Sequence, residues 1–411
     1  MQQTTLFSLD SLLSSDAAAR SQGQMDRGGV GVETRISIDV GQPDPASMPM
    51  DDLIAAAGRV LSTDRTALLY GDRQGYAPLR KLVAHKALRL ESLEVRPDDV
   101  LITNGSGQAI AMTAQALVDR GDWILMDEAS WGVRVFKGFG TNVFSVRWDG
   151  DGPIIADVKA GVAAARDHGK RIKMFYTIPN FQNPLGITAG VERRKAVLDL
   201  AIEHGFLILE DDAYVELRFE GSHIPSYYQL DESRSQVLRA GTFSKIFGAG
   251  IRLGWTMSSP ELLSALTHYK LDGGTSPFSS RILTEYMRGH MFEHIDELID
   301  VYRDKRDVMI GGLQKGLGSR ASWSQPEGGF FVWVSLPEGA SAENVCAACA
   351  RRGVSVWNGA QFRWDGRDDS HIRLSYSFAT LDEIEEGVTV LCEEILRSAA
   401  QSDFVAGVGS R

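Results

Sequence analysis

Short apolar runs recur along the middle of the chain, and each stops at a polar or glycine-bearing turn. They are Val100–Thr103, Trp123–Asp127, Ile172–Pro179, and the run from Phe206 that stops at the acids 210–212. Helical patterns alternate with them, one through Ile110, Met112, Ala116 and Leu117 and another from Thr188 to His204. Strand–helix repetition of this kind predicts a mostly parallel sheet with helices on both faces. Thr188 reads as the N-cap of its helix and Gly205 as the residue just past its end. Beyond Arg281 the pattern turns helical, with a long polar–apolar run from His290 to Leu317. A smaller α/β unit follows: strand Gly329–Val334, helix Ala342–Arg352, strand Ile372–Ser375 and helix Asp382–Arg397. A chain of 411 residues exceeds one comfortable core, so two domains are expected.

Bulk properties narrow the classes. Hydrophobic content of 43% and charged content of 24% fit a globular protein. The formal net charge of −11 argues against a nucleic-acid surface. No apolar run reaches membrane-spanning length, and the N-terminus lacks the basic and long apolar stretches of a secretory signal. Three cysteines cannot build a disulfide framework, which suits the cytoplasm. Residues 1 to about 35 are rich in Ser, Gln, Ala and Gly and read as an arm with room for one short helix. Two strings read as decoys. His290-Met-Phe-Glu-His294 matches a zinc-protease pattern, but nothing suggests a third ligand, and no metal is expected. Cys346-Ala-Ala-Cys349 lies in an alanine-rich helical run and reads as small helix residues rather than a redox pair.

The chemistry concentrates in Ala240-Gly-Thr-Phe-Ser-Lys-Ile-Phe-Gly-Ala-Gly-Ile-Arg-Leu-Gly-Trp255. One lysine, Lys245, stands between serine/threonine hydroxyls and a glycine-rich turn. A lysine so placed can condense with an aldehyde to form a Schiff base, and pyridoxal 5′-phosphate is the aldehyde cofactor that needs one. Thr242, Ser244 and Arg252 suit its phosphate, which Arg binds bidentately. Upstream, Asn104-Gly-Ser-Gly-Gln108 joins a strand to a helix N-terminus, where Ser106, Gly107 and Gln108 present backbone N–H groups to an anion. Its glycines only partly match a dinucleotide fingerprint, because Ile110 stands where the third glycine belongs.

Three more strand ends add side chains. Trp131 reads two ways, as a ring-stacking residue or as an ordinary core tryptophan. Asn183, in Asn180-Phe-Gln-Asn-Pro-Leu-Gly186, reads as a hydrogen-bond donor or as a turn residue. The acids Asp211 and Asp212 need a partner if buried, and a protonated pyridinium nitrogen is one.

As a set, Gly41-Gln-Pro43, Tyr70-Gly, Asn104-Gly-Ser-Gly-Gln108, Asn183-Pro-Leu-Gly186, Asp211-x-x-Tyr214, Ser244-Lys245, Arg252 and Arg373 resemble the class I/II aminotransferases of PLP fold type I. The branch most resembled contains aminoadipate, lysine and kynurenine aminotransferases, and the resemblance runs from about Ile36 to Arg397. It implies an α/β fold with a large domain, built on a mostly parallel seven-stranded sheet flanked by helices, and a smaller C-terminal α/β domain. The expected division is 1–45 (arm and small-domain segment), 46–290 (large cofactor domain), 291–398 (small domain) and 399–411 (tail). It further implies Lys245 as the Schiff-base lysine, Asp211 on the pyridine nitrogen, and Asn183 and Tyr214 at the phenolic oxygen. Trp131 would stack on the ring, and Ser106, Gly107, Gln108, Ser244 and Arg252 would hold the phosphate. Tyr70 would reach that phosphate from a neighbouring subunit, which implies a homodimer. Arg373 would clamp the substrate α-carboxylate, with Gly41 and Asn183 beside it. The implied reaction moves an amino group from an L-α-amino acid to a 2-oxo acid through pyridoxamine phosphate.

Departures from the branch are Gly107, where Gln is frequent, and Ala249, where Pro is frequent. Two other readings share these residues: a biosynthetic PLP enzyme that diverts the carbanion to elimination, replacement or cyclisation, and a non-catalytic effector-binding module. The second requires an attached DNA-binding domain, for which about 35 residues are too few.

Overall fold

The computed structural model describes residues 35–408 and Leu13, with side chains described as far as Gln401. The rest of the arm, residues 1–12 and 14–34, and the last three residues lie outside the described residues. Strands are numbered in chain order. β1 (Ile36–Ser37) precedes β2 (Val100–Thr103), β3 (Trp123–Asp127) and β4 (Asn142–Val146). A small hairpin, β5 (Trp148–Asp149) and β6 (Gly152–Pro153), leads to β7 (Ile172–Thr177), β8 (Leu207–Asp211), β9 (Val237–Thr242) and β10 (Gly254–Met257). The C-terminal part holds β11 (Ser322–Trp323), β12 (Phe331–Ser335), β13 (Val354–Ser355), β14 (Trp357–Asn358) and β15 (His371–Ser375).

The expected large sheet is present. Seven strands lie in the order β2-β10-β9-β8-β7-β3-β4. All pairs are parallel except the two made by β10, which runs against both β9 and β2. Buried on both faces, the central strands read as continuous apolar runs. β4, β9 and β10 lie outside the runs picked from the sequence. β9 escapes notice because Arg239 and Gly241 interrupt it. Both are buried, Arg239 in an ion pair and Gly241 beneath the Trp255 ring.

The helix expected from Thr188 begins at Val191, with Gly190 as its cap residue. The Thr188 hydroxyl instead accepts the Phe181 N–H at 3.1 Å, inside the turn that precedes the helix. Gly205 does end the helix, at φ 67°. A 41-residue helix, Pro277–Leu317, starts at the Ser276 cap and runs across the expected division at 290. Leu283, Met287, Met291, Ile295, Leu298, Tyr302, Met309, Leu313 and Leu317 are buried along it at helical spacing. The last helix, Leu381–Val408, packs against it and runs well past Arg397. A Cβ on Gly312 or Gly316 would meet Val388 or Cys392 within 3 Å, so these glycines set how closely the two helices approach. β11, β12, β15 and β14 form a second, four-stranded sheet, and β1 pairs with β13 beside it.

Candidate active site

β10 lies between β2 and β9 and reverses direction, so β2, β3, β7, β8 and β9 all point the same way. The turns after their C-terminal ends meet, which is where ligands bind in open α/β sheets. A cavity of about 340 Å³ opens there. Its walls include Gly41, Ser106, Gly107, Trp131, Asn183, Asp211, Tyr214, Ser244, Lys245, Arg252 and Arg373, drawn from both sheets and from the segment after β1. Two expected residues are elsewhere. Gln108 turns its side chain away, accepting the Asn104 N–H at 2.8 Å and donating to Asp272 at 3.0 Å. Tyr70 is 93% exposed on the surface.

At the end of β8, Asp211 and Asp212 are both buried. Asp211 lines the cavity, and its Oδ2 accepts the Tyr176 hydroxyl at 2.7 Å. Its Oδ1 is buried with no partner among the described residues. Burial raises its pKa to about 6; the Asp212 charge adds to this, while the Tyr176 bond and Lys245 oppose it. Asp212 instead accepts Arg239 Nε at 2.9 Å and Asn180 at 2.7 Å.

Lys245 follows β9. Its turn is tied by the Thr242 hydroxyl, which donates to Ser244 Oγ at 2.8 Å and accepts the Ser244 N–H at 3.1 Å. Lys245 Nζ donates to the Gly41 carbonyl at 2.8 Å. The rings of Tyr214 and Phe330 lie 5.6 Å away. Burial lowers the Lys245 pKa to about 8, helped by the cations Arg373 and Arg252 and opposed by Asp211.

The helix Ser106–Leu117 points its N-terminus at the cavity from Gly105, which sits at φ 75°. Arg252, also left-handed at φ 54°, donates to the Asn104 carbonyl at 3.3 Å. A Cβ on Gly254 would stand 2.6 Å from the Gly105 backbone, so β10 and this turn meet only through glycine.

Arg373, on β15, donates to Asn183 Oδ1 at 3.0 Å and to the Asp39 carbonyl. Its guanidinium lies 4.3 Å from the Phe331 ring centre. Burial lowers its pKa to about 9; Tyr214 opposes this, while the nearby Arg134 reinforces it. Burial likewise raises the Tyr214 hydroxyl, against an Asn183 hydrogen bond. Gln182 donates to the Ala129 carbonyl at 2.7 Å, and the Trp131 N–H to the Asn183 carbonyl at 3.1 Å, locking the turns after β3 and β7 together.

Several residues at the site lie outside the sequence expectations: Asp39, Arg134, Phe331 and Trp357, which line the cavity, and Tyr176 directly behind Asp211. Phe331 and Trp357 arrive from the second sheet, and no local pattern announces that. Tyr176 carries a usable signal, a hydroxyl near the C-terminal end of an apolar run, where a buried polar group needs a partner. Of the decoys, His294 makes a 2.8 Å hydrogen bond with the Ile246 carbonyl. Cys346 and Cys349 lie on the helix Ala342–Arg351, and burial raises both thiols to about 12.

The family profile described as aminotransferase class I and II matches residues 35–391. Aromatic-amino-acid aminotransferase 1 of Thermococcus litoralis is 31% identical over 366 residues, 88% of each chain. The crystal structure of a multiple substrate aminotransferase from Thermococcus profundus superposes with a TM-score of 0.87 at 30% identity, covering 96% of this chain and 100% of that one. That of LysN, an alpha-aminoadipate aminotransferase from Thermus thermophilus complexed with N-(5′-phosphopyridoxyl)-L-leucine, gives 0.87 at 29% identity, covering 96% and 100%.

Proposed function

Because this chain belongs to the class I and II aminotransferase family and is an aminotransferase, we propose that pyridoxal 5′-phosphate occupies the cavity at the strand ends, with Lys245 as its covalent anchor. The observation that carries the reading is the bare, buried Oδ1 of Asp211 in the same cavity as a lysine whose pKa is lowered to about 8. A buried carboxylate oxygen without a partner is unfavourable, and a protonated ring nitrogen supplies the missing donor. The phosphate falls to the N–H groups of Ser106 and Gly107, the Ser244 hydroxyl and the Arg252 guanidinium. Gln108 contributes through its backbone N–H, since its side chain is engaged with Asp272. Trp131 would cover one face of the ring, and Asn183 and Tyr214, which line the same cavity, would meet its phenolic oxygen.

When bound, the cofactor supplies an electron sink for the bond broken at the substrate α-carbon. The protein's residues do the rest. Arg373 holds the α-carboxylate bidentately, exchanging its present bonds to Asp39 and Asn183 for a charged partner. Lys245 Nζ, neutral for part of the time near pH 8, takes the α-proton as general base. Asp211 keeps positive charge on the ring where the developing negative charge needs it.

The substrates are an L-α-amino acid and a 2-oxo acid, and the working unit is a homodimer. Supporting the dimer, Met50, Ile54, Leu61, Leu68, Leu69, Tyr70 and Leu271 are exposed large apolar side chains, with Tyr70 packed beside Gly273. No helix among the described residues is long and apolar enough to cross a membrane. The free thiols Cys346, Cys349 and Cys392 support a cytoplasmic setting.

The test is a panel of amino donors with 2-oxoglutarate, run on the purified protein and on Lys245→Ala. The parent should form a new amino acid in proportion to the donor consumed, and Lys245→Ala should form none. Borohydride reduction and peptide mapping should place the reduced cofactor on Lys245. Label on another lysine would overturn the assignment.

A further inference from the structure

We infer that Tyr176 is a positioning residue, whose hydroxyl fixes the orientation and the charge of Asp211 toward the cofactor's ring nitrogen. This rests on the reading of Asp211 given above. Tyr176 is buried one residue before the end of β7, and its hydroxyl donates to Asp211 Oδ2 at 2.7 Å. A carboxylate has two oxygens. The bond to one leaves the other, Oδ1, as the oxygen without a protein partner among the described residues. Tyr176 therefore selects which oxygen is left for the cavity.

The ring that carries this hydroxyl is itself held. Phe136 lies 5.4 Å away, centre to centre. A Cβ on Gly132 would fall 2.2 Å from the Tyr176 ring, so a residue other than glycine there would push the ring away. Gly132 directly follows Trp131, so one turn both presents a cavity tryptophan and clamps Tyr176.

The hydrogen bond also favours the charged carboxylate. Around Asp211, burial and the Asp212 charge favour the neutral form, while Tyr176 and Lys245 favour the anion. Tyr176 is kept protonated by its own burial and by Asp211, with Asp127 and Tyr214 adding in the same direction, so it remains a donor. Asp212 plays no equivalent part, being committed to Arg239 and Asn180.

The test uses Tyr176→Phe, which keeps the ring and deletes the hydroxyl. Equilibrium affinity of the cofactor-free protein for pyridoxal 5′-phosphate is measured from pH 5 to 8. It is measured in parallel for the analogue with carbon in place of the ring nitrogen. A hydrogen bond to a charged group predicts roughly tenfold weaker binding of the natural cofactor near neutral pH. The acid-side break in affinity, where Asp211 of the free protein loses its charge, should rise by about one unit. The carbon analogue should bind both proteins equally. In an Asp211→Asn background, Tyr176→Phe should have no further effect. Gly132→Ala, which displaces the ring without removing the hydroxyl, should move the break the same way.

An affinity profile for Tyr176→Phe that overlays the parent overturns the inference, and so does an equal loss for the carbon analogue. A lower Tm with an unchanged profile assigns Tyr176 to packing alone. If Asp211→Asn alters the profile and Tyr176→Phe does not, only this inference falls. If Asp211→Asn changes nothing, the reading of Asp211 falls and takes this one with it.

Discussion

Asp211 ends β8 and Asp212 directly follows it, yet one faces the cavity with a bare oxygen while the other is locked into an ion pair with Arg239. Strand alternation produces the split. One pair of adjacent acids thereby separates chemistry from architecture.

Substituting each acid should expose the division. Asp211→Asn removes a charge partner of the reacting centre and should raise the barrier by on the order of 3 kcal/mol. Asp212→Asn should leave kcat much closer to the parent. Its loss should appear in stability, because Arg239 would stay buried with Glu91, at 2.7 Å, as its remaining ion-pair partner among the described residues. Breaking a buried pair from one side typically costs about 3 kcal/mol. Steady-state kinetics and thermal melts on both variants check this. Equal losses of kcat would remove the distinction.

The pH response of Lys245 has a definite sign. Its folded pKa, lowered to about 8, lies below its ordinary 10.5. Between these values the unfolded chain holds a proton that the folded chain does not. This group's contribution to stability therefore rises with pH across that window, and below about pH 8 its burial opposes folding. The same neutral amine is the form that captures an aldehyde. Uptake of pyridoxal 5′-phosphate by cofactor-free protein, followed by absorbance, should increase with pH around a midpoint near 8. Arg373→Met removes a cation that lowers this pKa and should move the midpoint upward. A parent midpoint near 10 would contradict the buried placement.

Much of this is legible in the sequence, and the reasons are local. Parallel strands buried on both faces leave continuous apolar runs, and the residues just past them were read as candidate site groups: Ser106, Trp131, Asn183, Asp211 and Lys245. What stayed hidden depends on distant packing. Arg239 and Gly241 conceal β9 because burying an arginine needs Glu91 and Asp212, which lie far away in sequence. Phe331 and Trp357 reach the cavity only because the second sheet closes over it. Thr188 has the chemistry of a cap but is held by Phe181 in the preceding turn, and Gly190 takes its place.

The contact between Gly254 and Gly105 gives a prediction about the anion-binding turn. An added methyl at residue 254 would lie 2.6 Å from the Gly105 backbone and 2.7 Å from the Gly241 carbonyl. None of these is a flexible side-chain end, so strand and turn must part. Gly254→Ala should destabilise by about 1–3 kcal/mol and weaken cofactor binding, because Gly105 leads the helix proposed to hold the phosphate. Gly250→Ala is the control, since nothing lies within 4 Å of its Cβ position. A Gly254→Ala protein as stable as that control, with unchanged affinity, would show that the turn tolerates displacement.

The last prediction concerns assembly. Tyr70 is 93% exposed, and its neighbours Leu68 and Leu69 are exposed as well, at 73% and 61%. Three consecutive-range apolar residues facing solvent fit a surface that a second copy covers. If Tyr70 completes the phosphate site of that copy, Lys245→Ala and Tyr70→Ala fall in the same pocket of a mixed dimer. A site built from the Lys245→Ala chain's cavity and the Tyr70→Ala chain's loop carries both lesions. The other site carries neither. Mixing the two weak proteins under verified subunit exchange should therefore restore activity, up to about one quarter of parental in a random mixture: half of the dimers are mixed, each with one intact site. Were Tyr70 to serve its own subunit's cavity, every site would keep one lesion and no activity would return. Full activity from a monomer, by light scattering at assay concentration, would equally exclude a shared site.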